Sequence, residues 1–111
     1  GKREEFFSVK EIISPELVRL SNDLTIRLIG IKQNPTINGK ATEYLINKIR
    51  GKKVFLKYDE VKHDNDNNLM AYLYLENKTF INAHLLKENL ALVDNSIDFK
   101  YKTKFNTFIN G

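Results

Sequence analysis

The order in which the spacing of apolar residues changes along the chain constrains its fold more than any other sequence feature. The segments with the β-branched, aromatic or alternating composition that is typical of strands are residues 6–13, 17–20, 24–31, 53–58 and 69–75. Between the third and fourth segments, Ala41, Leu45 and Ile49 recur at helical spacing, which predicts a helix of about three turns. Gly51 follows it and is suited to the left-handed conformation that ends many helices.

Helical signals return after the fifth strand segment. Asn82 is suited to N-cap a short helix, and Asn89 is suited to the left-handed residue that ends it. From Ser96 onward a second helix is expected, because apolar residues form one stripe there. Its members are Ile97, Tyr101, Phe105, Phe108 and Ile109. Within the third strand segment, Gly30 predicts a bulge or a close approach of another part of the chain.

This order of elements predicts the fold class and the architecture. A helix placed between strands 3 and 4 of a five-stranded sheet is the arrangement of the OB-fold barrel. We therefore expect an α+β, mainly β protein: a five-stranded antiparallel barrel with that helix and two C-terminal helices. The 111 residues are sufficient for one core and too few for two, so residues 1–111 are expected to form one domain. Because the chain does not begin with Met, we expect it to be excised from a longer protein.

Composition narrows the range of functions. The chain has no cysteine, which excludes disulfides, Cys-based zinc sites and thiol catalysis. It also shows no signal peptide. Both observations lead us to expect a cytoplasmic location. Apolar runs are far shorter than the about 20 residues that span a bilayer, so no membrane partner is expected. A net charge of +4 permits binding of a polyanion, although biased codon usage is an equally acceptable explanation of the many lysines.

No motif in the chain indicates a cofactor or a metal ion. Residues 64–68 resemble the start of a calcium loop, but Leu69 and Leu75 stand where such a loop needs Gly and Glu. His63 and His84 have no partners at metal-ligand spacing, and the scattered glycines form no phosphate-binding loop. Most aromatic residues have the spacing of core residues. The densest groups of lysines permit either a solvated face or a phosphate-binding surface, and they are Lys52, Lys53, Lys57, Lys100, Lys102 and Lys104.

Two segments resemble a known family. The sequence LMAYLYL at 69–75, followed by FINAHLLKENLALV at 80–93, is similar to the fifth strand and second helix of staphylococcal-nuclease-like domains. Further similar segments in the same order are VKEIISPELVRL at 9–20, IRLIGI at 26–31 and GKAT at 39–42. The resemblance covers about residues 8–108 and implies an OB-fold with this helix placement, in agreement with the pattern of apolar residues.

The resemblance also implies a degenerate active site. Active members of the family are calcium-dependent nucleases that use metal-binding carboxylates, a Glu that activates water and two phosphate-clamping Arg. Of these groups the chain retains one acid, Glu16, and the first arginine, Arg27. Lys32 stands at the position of a metal-binding acid, Pro35 near that of the general base, and Asn68 at that of the second arginine. The resemblance therefore implies a domain without catalytic residues, metal or cofactor.

Three functions follow as hypotheses. The first is an accessory module that binds DNA, with little sequence readout, through Arg19, Arg27, Lys32, Lys57 and Lys62. The second is a protein-docking or structural domain that contacts other parts of its parent chain through Phe99 and Phe108. The third is a weak calcium-dependent nuclease that relies on Glu16 and Arg27. The lysine- and asparagine-rich sequence is also similar to C-terminal regions of bacterial or archaeal site-specific DNA methyltransferases, which implies a DNA-modifying parent enzyme.

Overall fold

The computed structural model describes residues 5–109, which form seven strands and three helices. The strands are β1 (Phe7–Ser14), β2 (Leu17–Leu20), β3 (Thr25–Leu28), β4 (Ile31–Gln33), β5 (Lys53–Lys57), β6 (Leu69–Leu75) and β7 (Ala91–Val93). The helices are α1 (Asn38–Ile49), α2 (Ile81–Lys87) and α3 (Lys102–Ile109). No helix in this part of the chain is long and apolar enough to cross a membrane.

Five of the strands close into a barrel in the order β1-β2-β3-β6-β5, which confirms the predicted mainly β OB-type architecture. The expectation of a fully antiparallel barrel is wrong at one seam, because β3 and β6 pair in parallel, with Ile26 opposite Leu69 and Leu28 opposite Ala71. The chain between these two strands is long and includes a helix, which is the kind of connection that a parallel pair requires. All other seams of the barrel are antiparallel.

The predicted third strand is divided at Gly30. Residues of β3 stay in the barrel, whereas β4 turns away and pairs with β7, a short strand that the sequence pattern did not indicate. Gly30 makes this turn with φ +80, and a Cβ atom at this position would lie 2.7 Å from the ring of Phe99. Only glycine combines this backbone conformation with so close a neighbour, so the predicted close approach is confirmed.

The first helix, α1, has the predicted length of about three turns and the predicted buried face. Ala41, Leu45 and Ile49 are buried, and Gly51 adopts the left-handed conformation with φ +77. The core lies inside the barrel and beneath α2 and α3, where aromatic side chains pack on one another as expected. Tyr74 stacks between two rings, with centroid distances of 5.0 Å to Phe55 and 4.5 Å to Phe80.

The prediction that Asn82 caps α2 is wrong. Asn82 lies inside the helix, is fully buried, and binds the barrel: its side chain accepts from the N–H of Leu73 at 2.8 Å and donates to the carbonyl of Ile29 at 2.9 Å. Phe80 holds the cap position without a side-chain hydrogen bond. At the other end of the helix Asn89 is left-handed, with φ 58, as predicted.

The last helix also differs from the prediction, because α3 begins at Lys102 and not near Ser96. Residues before it are held by carboxylates: Asp94 accepts from the N–H of Ser96 at 3.0 Å, and Asp59 accepts from the N–H of Lys100 at 2.7 Å. These side-chain contacts take the place of helical hydrogen bonds. The apolar stripe packs on the core nevertheless, and Phe105 at its centre is fully buried.

Candidate functional site

A cleft of about 320 Å³ opens beside β3, and we call it the β3 cleft. Its walls come from β3, from the loop between β5 and β6, and from the segment before α3. The apolar part of the wall consists of Ile29, Val61, Met70, Ile97 and Phe99. The charged part consists of Arg27 and the aspartates Asp59, Asp64, Asp66, Asp94 and Asp98, with His63 beside them. Carboxylates thus dominate the electrostatics of the β3 cleft, which repels phosphate groups.

Arg27 reaches the cleft from the outer face of β3 and binds two carboxylates. Its Nη2 lies 3.0 Å from Oε1 of Glu16, and its Nη1 lies 3.9 Å from Oδ2 of Asp64. All three side chains are largely buried, at 26%, 14% and 12% exposure in the order Arg27, Glu16, Asp64. Most of the charge of Arg27 is therefore already balanced within the protein.

Glu16 is held on both of its carboxylate oxygens. It follows a tight turn in which its own N–H donates to the hydroxyl of Ser14 at 3.1 Å. One oxygen binds Arg27, and the other accepts from the backbone N–H of Gln33 at 2.7 Å. Glu16 thereby connects the β1–β2 turn to β3 and β4, which is a structural role for the acid that the resemblance assigns to metal binding.

Asp64 organises the loop between β5 and β6. Its side chain accepts from the N–H groups of Asp66 and Asn68, at 2.9 and 2.8 Å, and from the amide of Asn68 at 3.0 Å. Burial raises the pKa of Asp64, but these hydrogen bonds and the charge of Arg27 outweigh it and hold that pKa below its usual value. Asn68, to which the resemblance assigns the position of the second clamping arginine, donates from its amide to this carboxylate.

Asp59 joins the same loop to the segment before α3. It accepts a short hydrogen bond from the hydroxyl of Tyr72 and others from the N–H groups of Lys100 and Glu60, at 2.7 and 2.8 Å. Burial raises its pKa, and the hydrogen bonds from Lys100 and Tyr72 more than offset this, so the pKa lies below its usual value. Burial and the Asp59 contact together raise the pKa of the Tyr72 phenol strongly.

Lys32 and Pro35 occupy the positions that the resemblance assigns to a metal-binding acid and a general base. Lys32 is exposed on β4, where it pairs with Leu92 of β7. It directly precedes Gln33, whose N–H donates to Glu16. Pro35 is exposed in the turn that follows β4. Neither residue contributes a carboxylate, and Lys32 adds a positive charge where a cation would bind.

The other sequence-predicted cations each have a partner. Arg19 lies 2.9 Å from Glu11 on the neighbouring strand, and Lys57 lies 5.5 Å from the centre of the Tyr74 ring. Lys62 donates to the carbonyl of Asp59 at 3.0 Å and lies 5.4 Å from the Tyr58 ring. Of the five proposed DNA contacts, Arg27 alone is in the wall of the β3 cleft.

The residues around the cleft do not fit a calcium ion. Calcium takes about six to eight oxygen ligands, several of them carboxylates. Across residues 5–109, no three His, Asp or Glu side chains converge closely enough to hold a metal ion. Glu16, the retained acid, is bound to a guanidinium and a backbone N–H and has Lys32 nearby.

Sequence reasoning missed the structural roles of two aspartates. A polar run such as residues 59–68 is typical of a solvated connection between strands, whereas Asp64 in it is largely buried. The run of Asp and Asn at alternating positions is a signal for side-chain-to-backbone turns that points to this role. Asp59 offered no comparable signal, because its partner Lys100 lies 41 residues away in the chain.

The fold is a closed OB-type barrel. An arginine on β3 faces a cleft between the β5–β6 loop and the C-terminal segment, and this combination is that of a nuclease-like β-barrel domain. A family model described as staphylococcal nuclease homologue matches residues 10–109. The chain belongs to this family, as the resemblance implied. No curated protein matches the chain at a significant level.

Proposed function

We propose that this domain binds nucleic acid without hydrolysing it, as an accessory part of a DNA-modifying enzyme such as a DNA methyltransferase. The observation that carries the proposal is the ion pair between Arg27 and Glu16, at 3.0 Å, in which the two retained groups of the nuclease site bind each other. The link to a methyltransferase is supported by the sequence resemblance alone.

The absence of hydrolysis follows from the chemistry that the site would need. Cleavage of a phosphodiester requires groups that activate water and that stabilise the charge developing on the phosphate. In this domain Arg27 and Glu16 neutralise each other, Pro35 replaces the base, and Asn68 binds Asp64. Losing these contributions together removes several separate parts of transition-state stabilisation.

Binding is supported by the positive charge of the domain, which is +4 for the whole sequence. Contacts between lysine or arginine side chains and phosphates provide affinity with little sequence readout. The proposed contacts are Lys32 on β4, Arg19 on β2, Lys57 on β5 and Lys62 in the β5–β6 loop, with a smaller contribution from the shielded Arg27. Lys32 is the member of this group that has no ion pair or cation–π contact within residues 5–109.

The test is fluorescence anisotropy of labelled single- and double-stranded DNA, titrated with the domain at two salt concentrations and followed over time with calcium. We expect a stable increase in anisotropy that weakens with salt. A signal that decays only when calcium is present would refute the lack of hydrolysis, and the Glu16→Ala variant then separates intrinsic activity from a contaminant. A flat titration at low salt would refute nucleic-acid binding.

Protein docking through Phe99 and Phe108 has less support. Both rings pack against the core residue Phe105, with centroid distances of 5.5 and 6.1 Å, and Lys87 covers the Phe108 ring at 4.8 Å. Neither ring is among the exposed large apolar side chains. Their periodicity in the sequence is therefore explained by packing within the domain.

A further inference from the structure

A second groove lies at the other end of the β5–β6 pair from the β3 cleft. It has a volume of about 550 Å³ and runs between the last turn of α1, the start of β5 and the end of β6. Its basic residues are Lys48, Lys52 and Lys53, and its polar neighbours are Asn47, Asn77 and Glu76. We call it the lysine groove.

Unlike Arg27 of the β3 cleft, the lysines of this groove have no carboxylate partner within residues 5–109. Lys48, Lys52 and Lys53 are all exposed, and among residues 5–109 none of them forms an ion pair. Glu76 is the acid in the wall of the groove, against three lysines. The lysine groove is thus net positive, whereas carboxylates outnumber cations in the β3 cleft.

The backbone brings these lysines to one place. Gly51, with φ +77, reverses the chain after α1, and the N–H of Lys52 donates to the carbonyl of Ile49 at 2.9 Å. Lys53 then enters β5 opposite Ser8, and its carbonyl accepts from the N–H of Glu76 at 3.2 Å. The start of β5 and the end of β6 are therefore tied to the end of α1.

We propose that the lysine groove binds the phosphates of a nucleic-acid backbone, as a second contact surface separate from the β3 cleft. The proposal rests on the proposed function for the class of ligand. Three exposed ammonium groups line one groove, and lysine binds phosphate as a point charge on a flexible side chain, so each of them is available for a backbone phosphate. The two surfaces are separated by the length of β5, about 15 to 20 Å at the usual rise per residue of a strand.

The experiment compares the salt dependence of DNA binding in three variants. The first, Lys48→Gln/Lys52→Gln/Lys53→Gln, removes the charge of the groove. The second removes the same net charge elsewhere, at the exposed residues Lys40, Lys87 and Lys104. The third, Arg19→Gln/Lys32→Gln, removes two of the other proposed DNA contacts, which lie on β2 and β4, and urea unfolding of each variant checks that the fold is retained.

If the groove binds three phosphates, the slope of log affinity against log salt falls by about 2 to 3 in the groove variant. With equal affinities at about 1 M salt, this corresponds at about 0.1 M salt to a loss of roughly 100- to 1000-fold in affinity, with a clearly smaller loss in the matched control. Equal losses in the groove and control variants would refute the proposal in favour of general electrostatics. Loss in the Arg19/Lys32 variant alone would refute it while leaving nucleic-acid binding intact, and no salt-dependent binding by the wild type would refute both.

Discussion

Replacing Asn82 with alanine tests the contact that ties α2 to the barrel. The Asn82 side chain is fully buried and accepts from the N–H of Leu73 on β6 while donating to the carbonyl of Ile29. A longer contact of 3.5 Å joins the same amide nitrogen to the carbonyl of Ala71. The side chain thereby satisfies two backbone groups just beyond the last bond of the β3–β6 pairing, in which the N–H of Ile29 donates to the carbonyl of Ala71 at 3.0 Å.

The expected cost follows from the groups left without partners. In the Asn82→Ala variant, the N–H of Leu73 and the carbonyl of Ile29 lose their amide partner in the interior. Each unsatisfied buried group costs about 1 to 3 kcal/mol, so the free energy of unfolding should fall by about 3 to 5 kcal/mol. This is a large part of the roughly 5 to 15 kcal/mol that stabilises most domains.

Urea unfolding followed by circular dichroism measures the loss directly. The matched control is Asn47→Ala, which changes an exposed asparagine and should alter stability by less than about 0.5 kcal/mol. The Asn82→Asp variant keeps an acceptor for Leu73 but places a carboxylate beside the carbonyl of Ile29, so it should also be destabilised. A loss below about 1 kcal/mol in Asn82→Ala, with an unchanged urea dependence, would contradict the assigned hydrogen bonds.

Two further changes test the packing around the cleft. The Asp59→Asn variant weakens the hydrogen bonds from Tyr72 and Lys100 and should lose about 2 kcal/mol at neutral pH, measured by urea unfolding. The folded state lowers the pKa of Asp59 from 3.8, so the Asp59 carboxylate adds to the free energy of unfolding above pH 3.8. This contribution is lost as pH falls through the pKa of the folded state. The free energy of unfolding of the wild type should therefore decline more steeply below pH 3.8 than that of the variant. The Gly30→Ala variant should lose about 1 to 3 kcal/mol in thermal unfolding, because the new methyl group meets Phe99 at 2.7 Å in a left-handed backbone. Gly39→Ala, with nothing within 4 Å and a helical position, should be neutral or stabilising, and equal effects at both glycines would contradict the packing argument.

Local features of the chain were readable from the sequence because they depend on neighbouring residues. The spacing of Ala41, Leu45 and Ile49 indicated the buried face of α1, and the positions of Gly51 and Asn89 indicated where the backbone takes a left-handed conformation. The order of strands and helices was sufficient to predict the OB-type barrel. The replacement of an expected acid by Lys32 was likewise visible without coordinates.

The tertiary structure decided which distant groups meet. Local spacing carries no information on such partners. It predicts Asn82 as a helix cap, whereas the side chain binds Leu73 and Ile29 in the interior. It also predicts a helix from Ser96 onward, whereas Asp59 accepts a hydrogen bond from the N–H of Lys100 and α3 begins only at Lys102. The parallel pairing of β3 with β6 likewise depends on how the intervening helix and strand fold back.

The charge of each surface was also decided by the tertiary structure. Folding places carboxylates around Arg27 in the β3 cleft and leaves the lysine groove with a net positive charge, because side-chain pairing depends on proximity in space and not along the chain.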